Sequence, residues 1–194
     1  MFTKRQQEII NATMELLCEY GMKAVTTRKI AARIKIKEAS LYNHFASKEK
    51  ILEGVIDYLS EVISNDILAR YADKNSKGIE IIEKGYLAWC DMYTKNPAMA
   101  YLIINAGTIF REYKDLLEKI KGLKDAEYKR ILEAVKEAQK SGDIRKDIDA
   151  RSTALLIAGV FATLLINWMN SDKDFDLSGK SKLVWKNLKK MLAP

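Results

Sequence analysis

The stretch TTRKIAARIKIKEASLYNHFASK, residues 26–48, decides the fold. Thr26 or Thr27 can cap a helix by accepting a hydrogen bond from a free first-turn N–H. Ile30, Ala31 and Ile34 then recur at spacings that give one narrow buried stripe. A break at Lys35 to Lys37 precedes a second short helix, Glu38 to His44, which carries Leu41 and Phe45 inward and leaves Ser40, Tyr42, Asn43 and His44 available. Two short helices with a tight turn between them form a helix-turn-helix, the unit that sets its second helix in the major groove of DNA.

The chemistry of the outward residues agrees. Ser40, Tyr42 and Asn43 offer hydroxyl and amide groups suited to base edges or phosphates, and Arg28, Lys35, Lys37 and Lys48 surround them with positive charge. Ser47 looks like the cap of the next helix, so Lys48 would sit at a positively polarised helix start that can hold a phosphate. Residues 1–50 carry ten Lys or Arg against five Asp or Glu, which accounts for most of the chain's net +7. The expected DNA-contacting set is Thr27, Arg28, Lys37, Ser40, Tyr42, Asn43, His44 and Lys48.

Ile9, Ala12, Leu16 and Gly21, then Thr26, Thr27, Ile30 and Ala31, and finally Leu41, Tyr42, His44, Phe45, Lys48 and Glu49 stand in a recognisable order, with LYNHFASKE as the most specific run. On these residues, positions 5–55 resemble the DNA-binding domain of the tetracycline-repressor (TetR) family of bacterial and archaeal transcription regulators. The remainder is similar in length and helical character alone. The resemblance implies a ligand domain, a dimer, and a long connecting helix acting as a lever between ligand and DNA. The chain departs from the family pattern in three places. Lys35 stands where Gly is common in the turn, and a left-handed lysine costs about 1 kcal/mol, so a locally different turn is expected. Lys37 replaces a Ser or Thr cap, and Glu38 suits a helix start but repels phosphate.

The whole sequence reads as all-α. With 194 residues, 48% of them hydrophobic, nine Gly and two Pro, it has ample core material and few alternating β-branched runs. MFTKRQQEII turns charged at once and has no secretory apolar core, and Cys18 and Cys90 read as reduced core residues, so a cytoplasmic protein is expected. A first helix over 3–20 buries Ile9, Ala12, Leu16 and Tyr20 and ends at Gly21, and a long helix runs from 47 to about 72. The polar segment ADKNSKGIE marks a boundary. The expected organisation is a three-helix helix-turn-helix domain over 1–48, the connecting helix, and a helical ligand-binding and dimerisation domain over 73–194.

In that second part Ile79, Ile82, Tyr86, Trp89 and Tyr93 share one helix face, and a Pro97-started helix adds Met99 and Tyr101. Later helical stretches are expected to break around Gly122 and stop at Ser141 and Gly142. Tyr86, Trp89, Tyr93, Met99 and Tyr101 are candidates to line a small-molecule pocket, since such sites pair apolar walls with a few polar handles; ordinary core packing is the alternative. Residues 150–170 form the most apolar helix, expected to be too interrupted to span a membrane, which needs about 20 apolar residues. An all-round apolar helix must be buried. Packing against a partner chain is one way to achieve this: Leu155, Ala158, Phe161, Ala162 and Leu165, with Trp185 and Leu188 of the last helix, are expected to form a four-helix dimer interface, the arrangement the resemblance also implies, and a helix buried within one protomer is the alternative.

Catalysis finds no support. His44 is the sole histidine, phosphate-cradling glycine motifs are absent, and acidic pairs such as Glu80 and Glu83 alternate with Lys as on an exposed helix. No metal or cofactor is expected. The reading is a homodimeric, ligand-responsive regulator, a repressor in sign, that binds a palindromic operator on double-stranded DNA and is released by a small molecule, with no membrane partner. The alternative, raised by Lys35, Lys37 and Glu38, is a helical ligand-binding or interaction protein whose DNA-binding domain is vestigial. Binding of the basic end to membrane surfaces is weaker, because its charges do not line one amphipathic face.

Overall fold

The computed structural model describes residues 2–64 and 78–194, and every described regular element is helical. The chain divides into two compact units: residues 1–63 with 97–121, and residues 64–96 with 122–194.

The first unit begins with α1, Lys4–Tyr20. Thr3 starts it through a capping box: the Gln6 N–H donates to Thr3 Oγ1 at 3.2 Å, and the Thr3 N–H donates to Gln6 Oε1 at 3.0 Å. Gly21 ends it at φ +70° and ψ 179°, a backbone region open in practice to glycine alone. Its buried face is Ile9, Ile10, Ala12, Thr13, Met14, Leu16 and Leu17. Tyr20 falls outside that face and is 63% exposed, correcting the expectation that it is buried; its ring instead meets the Lys29 ammonium 5.9 Å from its centroid. A 3-10 turn over Met22–Ala24 leads to α2, Thr27–Arg33, and then α3, Glu38–Leu41. The helix α4, Lys48–Val62, buries Ile51, Leu52, Val55, Ile56 and Leu59. The expected continuation to about residue 72 lies, beyond Ser64, outside the described residues.

Two further segments complete this unit. The helix α6, Pro97–Ile109, packs on α1 and buries Met99, Ala100, Leu102, Ala106 and Ile109. The start of α7, Lys114–Ser141, reaches α4 through Lys119, whose Nζ lies 3.1 Å from Glu53 Oε1 and 3.0 Å from Asp57 Oδ1. α7 is continuous through Gly122, so the break expected there is absent: nothing lies within 4 Å of a Cβ built at that position, and one exposed glycine lowers helix propensity by only about 1 kcal/mol.

The second unit is built from α5, Ile79–Lys95, the rest of α7, α8, Ala150–Asn170, and α9, Leu177–Leu192. Asp149 caps α8 by accepting from the Ser152 N–H at 2.8 Å, which also holds its carboxyl below the ordinary aspartate range. The core of this unit gathers Ile82, Tyr86 and Cys90 of α5, Ala134, Val135 and Ala138 of α7, Ala154 and Ile157 of α8, and Trp185, Leu188 and Leu192 of α9.

Candidate nucleic-acid interface

Thr26 is the cap of α2 and accepts from the Lys29 N–H at 3.2 Å. Ile30 and Ala31 are buried and Ile34 is half-buried at the helix end. Lys35 adopts φ +57°. The turn therefore keeps left-handed geometry with a lysine in it, correcting the expectation of a locally different turn. The Ile36 N–H donates to the Ala31 carbonyl at 3.0 Å and closes it. Lys37 is extended and supplies no side-chain cap to α3.

Regular α-helix in the recognition segment stops at Leu41, shorter than the expected Glu38 to His44, and the chain then coils on through N–H groups of His44 and Phe45 that both donate to the Leu41 carbonyl, at 2.9 and 3.0 Å. Leu41 and Phe45 are buried; Tyr42 and Asn43 are exposed, Ser40 and His44 half-exposed. Gly54 sets the depth of this segment on α4. A Cβ there would stand 2.8 Å from Phe45 Cε1. The close approach has no mark in the sequence beyond a glycine inside a helical pattern.

The charges are arranged with more restraint than the sequence suggests. The Thr27 hydroxyl donates to Glu38 Oε1 at 2.5 Å, so this candidate contact is engaged with α3 and holds the Glu38 carboxylate against the first turn of α2. At the start of α4, Ser47 accepts from the Lys50 N–H at 3.3 Å. The Glu49 carboxylate is held below its ordinary range first by a hydrogen bond to its own backbone N–H and then by the Ser47 hydroxyl. That helix start thus already has an anion of its own. Arg28 and Lys37 are exposed. Arg33, which the sequence did not single out, fastens α2 to α1: its guanidinium lies 2.6 Å from Glu19 Oε2 and 3.2 Å from Glu15 Oε2. This hydrogen bonding depresses the Glu19 pKa.

The five pocket candidates divide between the two units. Met99, buried, and Tyr101, half-buried, lie on α6 in the first. Tyr86, Trp89 and Tyr93 are buried on α5 in the second. There they join an aromatic cluster in which the Tyr86 ring lies 5.3 Å from Phe161 and 5.4 Å from Trp185, and Tyr93 stacks on Phe161 at 6.1 Å. The Trp89 indole N–H donates to Glu127 Oε1 at 2.8 Å. By contrast, Tyr86 Oη and Trp185 Nε1 are buried with no hydrogen-bond partner. Each such group costs about 1–3 kcal/mol. Burial pushes the hydroxyls of Tyr86 and Tyr93 well above the usual tyrosine range, and the Cys90 thiol up to about 11.

The expected dimer residues also separate. Trp185, Leu188 and Leu165 are buried inside their own protomer, and Phe161 belongs to the aromatic cluster, so these four support the face from behind. Leu155, 64% exposed, and Ala162 face outward, with Ala158 half-buried between them. Leu156, Ile166 and Leu183 add to the exposed apolar surface. An open groove of about 800 Å³ runs along it, lined by residues that include Leu155, Gly159 and Thr163 of α8 and Lys180 and Val184 of α9. The helix α8 has 21 residues and is long and apolar enough to cross a membrane by length and composition alone, which corrects the expectation from its interruptions; 33% of its most apolar window is buried in the protomer. Among the described residues no group of three His, Cys, Asp or Glu side chains is placed to hold a metal ion.

Residues 9–55 match the model of bacterial regulatory proteins of the tetR family. Residues 99–194 match the C-terminal region of MAATS-type transcriptional repressors. The chain is 32% identical over 109 residues to the nucleoid occlusion factor SlmA of Aliivibrio fischeri, a stretch covering 55% of this chain and 54% of that protein, and so spans about half the length of this curated relative. The ketosteroid transcriptional regulator KstR2 of Mycobacterium tuberculosis superposes with a TM-score of 0.84 at 16% identity, covering 100% of this chain and 97% of that one. AibR in complex with isovaleryl coenzyme A and operator DNA gives 0.75 at 20% identity, covering 98% and 99%. At such identities the two structures establish a shared fold, while the two family matches fall on the reading head and on the helices after it. The chain belongs to the TetR family of transcriptional regulators.

Proposed function

We propose that the protein is a repressor that binds a palindromic operator as a homodimer in the cytoplasm and is released by a small molecule. The observation that carries this is the left-handed turn at Lys35, which seats Leu41 and Phe45 inward and leaves Tyr42 and Asn43 exposed. Arg28, Lys37 and Lys48 supply phosphate contacts, and Ser40, Tyr42, Asn43 and His44 the base-facing groups. Residues 1–48 form the reading head, and residues 73–194 carry effector binding and dimerisation. The description of the second family match as a repressor region supports the sign of regulation. AibR, solved with a ligand and operator together, supports the coupling.

The apolar face of α8 and α9 calls for a second copy. An isologous pairing buries Leu155, Leu156, Ile166 and Leu183 against the same residues of the partner. A membrane would leave unexplained why one side of α8 is packed into a soluble-type core. In the dimer the two recognition segments must meet successive major grooves, about 34–36 Å apart or a multiple of it, and an effector acts by favouring a geometry that misses this spacing.

Selection of duplexes from a random library at moderate salt tests the reading, because nonspecific phosphate binding is then suppressed. An enriched inverted repeat is expected. A folded dimer that enriches nothing while still binding DNA at low salt would support the alternative of a vestigial reading head, which the Glu38 and Glu49 carboxylates at two helix starts favour.

A further inference from the structure

We propose that the Trp185 indole N–H and the Tyr86 hydroxyl are the hydrogen-bonding handles of the effector site, and that they take the carbonyl oxygen of an uncharged, largely apolar molecule. This rests on the regulator reading above and names the chemistry of its ligand.

Among the described residues, polar side-chain atoms of the interior are otherwise matched. Thr13 donates to the Ile9 carbonyl at 2.7 Å, Ser181 to the Leu177 carbonyl at 2.6 Å, and the Cys90 thiol to Ser181 Oγ at 2.9 Å. Among the described residues the buried atoms left without a partner are Tyr86 Oη and Trp185 Nε1, and they belong to neighbouring rings 5.4 Å apart. Each orphaned group asks for a partner, and rings 5.4 Å apart bring both within the span of one small molecule. An indole N–H can only donate, and a tyrosine hydroxyl can donate as well, so the partner that satisfies both is an acceptor.

The surroundings set its charge. Ile82, Val135, Ile157 and Leu188 belong to the same buried cluster as the pair. The influences on the Tyr86 hydroxyl are burial and the Cys90 thiol, with no cationic side chain among them. A carboxylate would lose its hydration here without a counter-charge, whereas a ketone, ester or amide oxygen loses far less and regains it from the two donors. A resident water is the competing occupant, and it would leave the two groups bonded in the absence of any effector.

Three matched probes separate these cases: acetophenone, ethylbenzene of similar shape without the oxygen, and benzoate with a charge. Indole N–H resonances of ¹⁵N-labelled full-length protein are followed, with Trp185→Phe assigning the third from those of Trp89 and Trp168. Acetophenone is expected to move the Trp185 resonance, ethylbenzene and benzoate to leave it in place, and the Trp89 resonance, already bonded to Glu127, to stay put. Tyr86→Phe is expected to weaken acetophenone binding about tenfold and, without ligand, to raise Tm by about 2–4 °C, because it deletes an unpaired hydroxyl. An unmoved Trp185 resonance, or equal movement with ethylbenzene, overturns the proposal. So does a lower Tm in Tyr86→Phe, which assigns the two groups to a water. Duplex selection reads the regulator independently: an enriched operator with an unmoved Trp185 removes the site and keeps the regulator, and a moved Trp185 with nothing enriched does the reverse.

Discussion

The helix-turn-helix and the aromatic core of the second unit handle polar groups in opposite ways. In the reading head, polar side chains either face solvent, as Tyr42 does at 52% exposure, or are bonded to each other, as Thr27 is to Glu38. In the second unit, Tyr86 and Trp185 carry polar atoms into an apolar core and leave them unpaired. The difference teaches what each region is built to meet. A surface that reads DNA keeps its groups hydrated until phosphates and bases replace water. An effector site keeps its groups dry, so that one matching oxygen is favoured strongly over apolar look-alikes.

The largest effect expected is in the head's own packing. Leu41→Ala removes a fully buried side chain and should destabilise the first unit by about 2–5 kcal/mol, read by urea unfolding. If the aromatic near-UV signal of the second unit were lost at the same denaturant concentration, the two regions would share one stability. Separate transitions would sharpen the contrast between them.

Next comes the reading surface. Tyr42→Ala should weaken operator binding by about 1–3 kcal/mol with the dimer intact in sedimentation, and unchanged binding would remove Tyr42 from the interface. Lys48→Ala should weaken all duplexes alike and flatten the salt dependence by about one unit of slope. A selective loss at one operator position would mean that Lys48 reads bases.

Smaller still is the turn. Lys35→Gly should relieve a left-handed lysine and stabilise the protein by about 1 kcal/mol, raising Tm by about 2–4 °C. Selected duplexes should stay the same, since the turn geometry is already in place. A fall in Tm would show that the Lys35 side chain makes a stabilising contact outweighing its backbone conformation.

The gentlest test is pH. Glu19 and Glu53 have pKa values lowered from 4.5, first by hydrogen bonds from Arg33 and Lys50 respectively. Their contribution is complete above the ordinary carboxylate range and is lost as pH falls through the lowered values. In the second unit the shifts run the other way. Tyr86 and Tyr93 are raised from 10.0 and Cys90 from 9.0, so stability there holds below those values and declines as pH rises past them. Unfolding of Arg33→Met should be less acid-sensitive than the parent protein, and Cys90→Ala less sensitive to alkali. Equal pH profiles for parent and variants would detach these groups from stability.

Much of the head was legible because its determinants are local. A cap at Thr26, a stripe of Ile30 and Ala31, and inward Leu41 and Phe45 all lie within one short segment, where helical periodicity alone assigns faces. Lys35 shows the limit. Intrinsic preference argued against a left-handed lysine, but burying Ile30 and Leu41 on one core outweighs about 1 kcal/mol of backbone strain. Tyr20 shows another: periodicity placed it on the α1 stripe, yet the buried face closes at Leu17.

By itself, then, the sequence determined the helical class, the reading head and its outward residues, because nearest neighbours along a helix decide them. The tertiary structure decided what long-range packing alone can set. It placed Gly54 against Phe45, joined Lys119 to the Glu53 and Asp57 pair, and turned Trp185 and Leu188 into the protomer's core while leaving Leu155 and Leu183 outside. An apolar residue on a helix announces that it will be covered. Which surface covers it depends on where distant helices meet, and neither period nor composition carries that information.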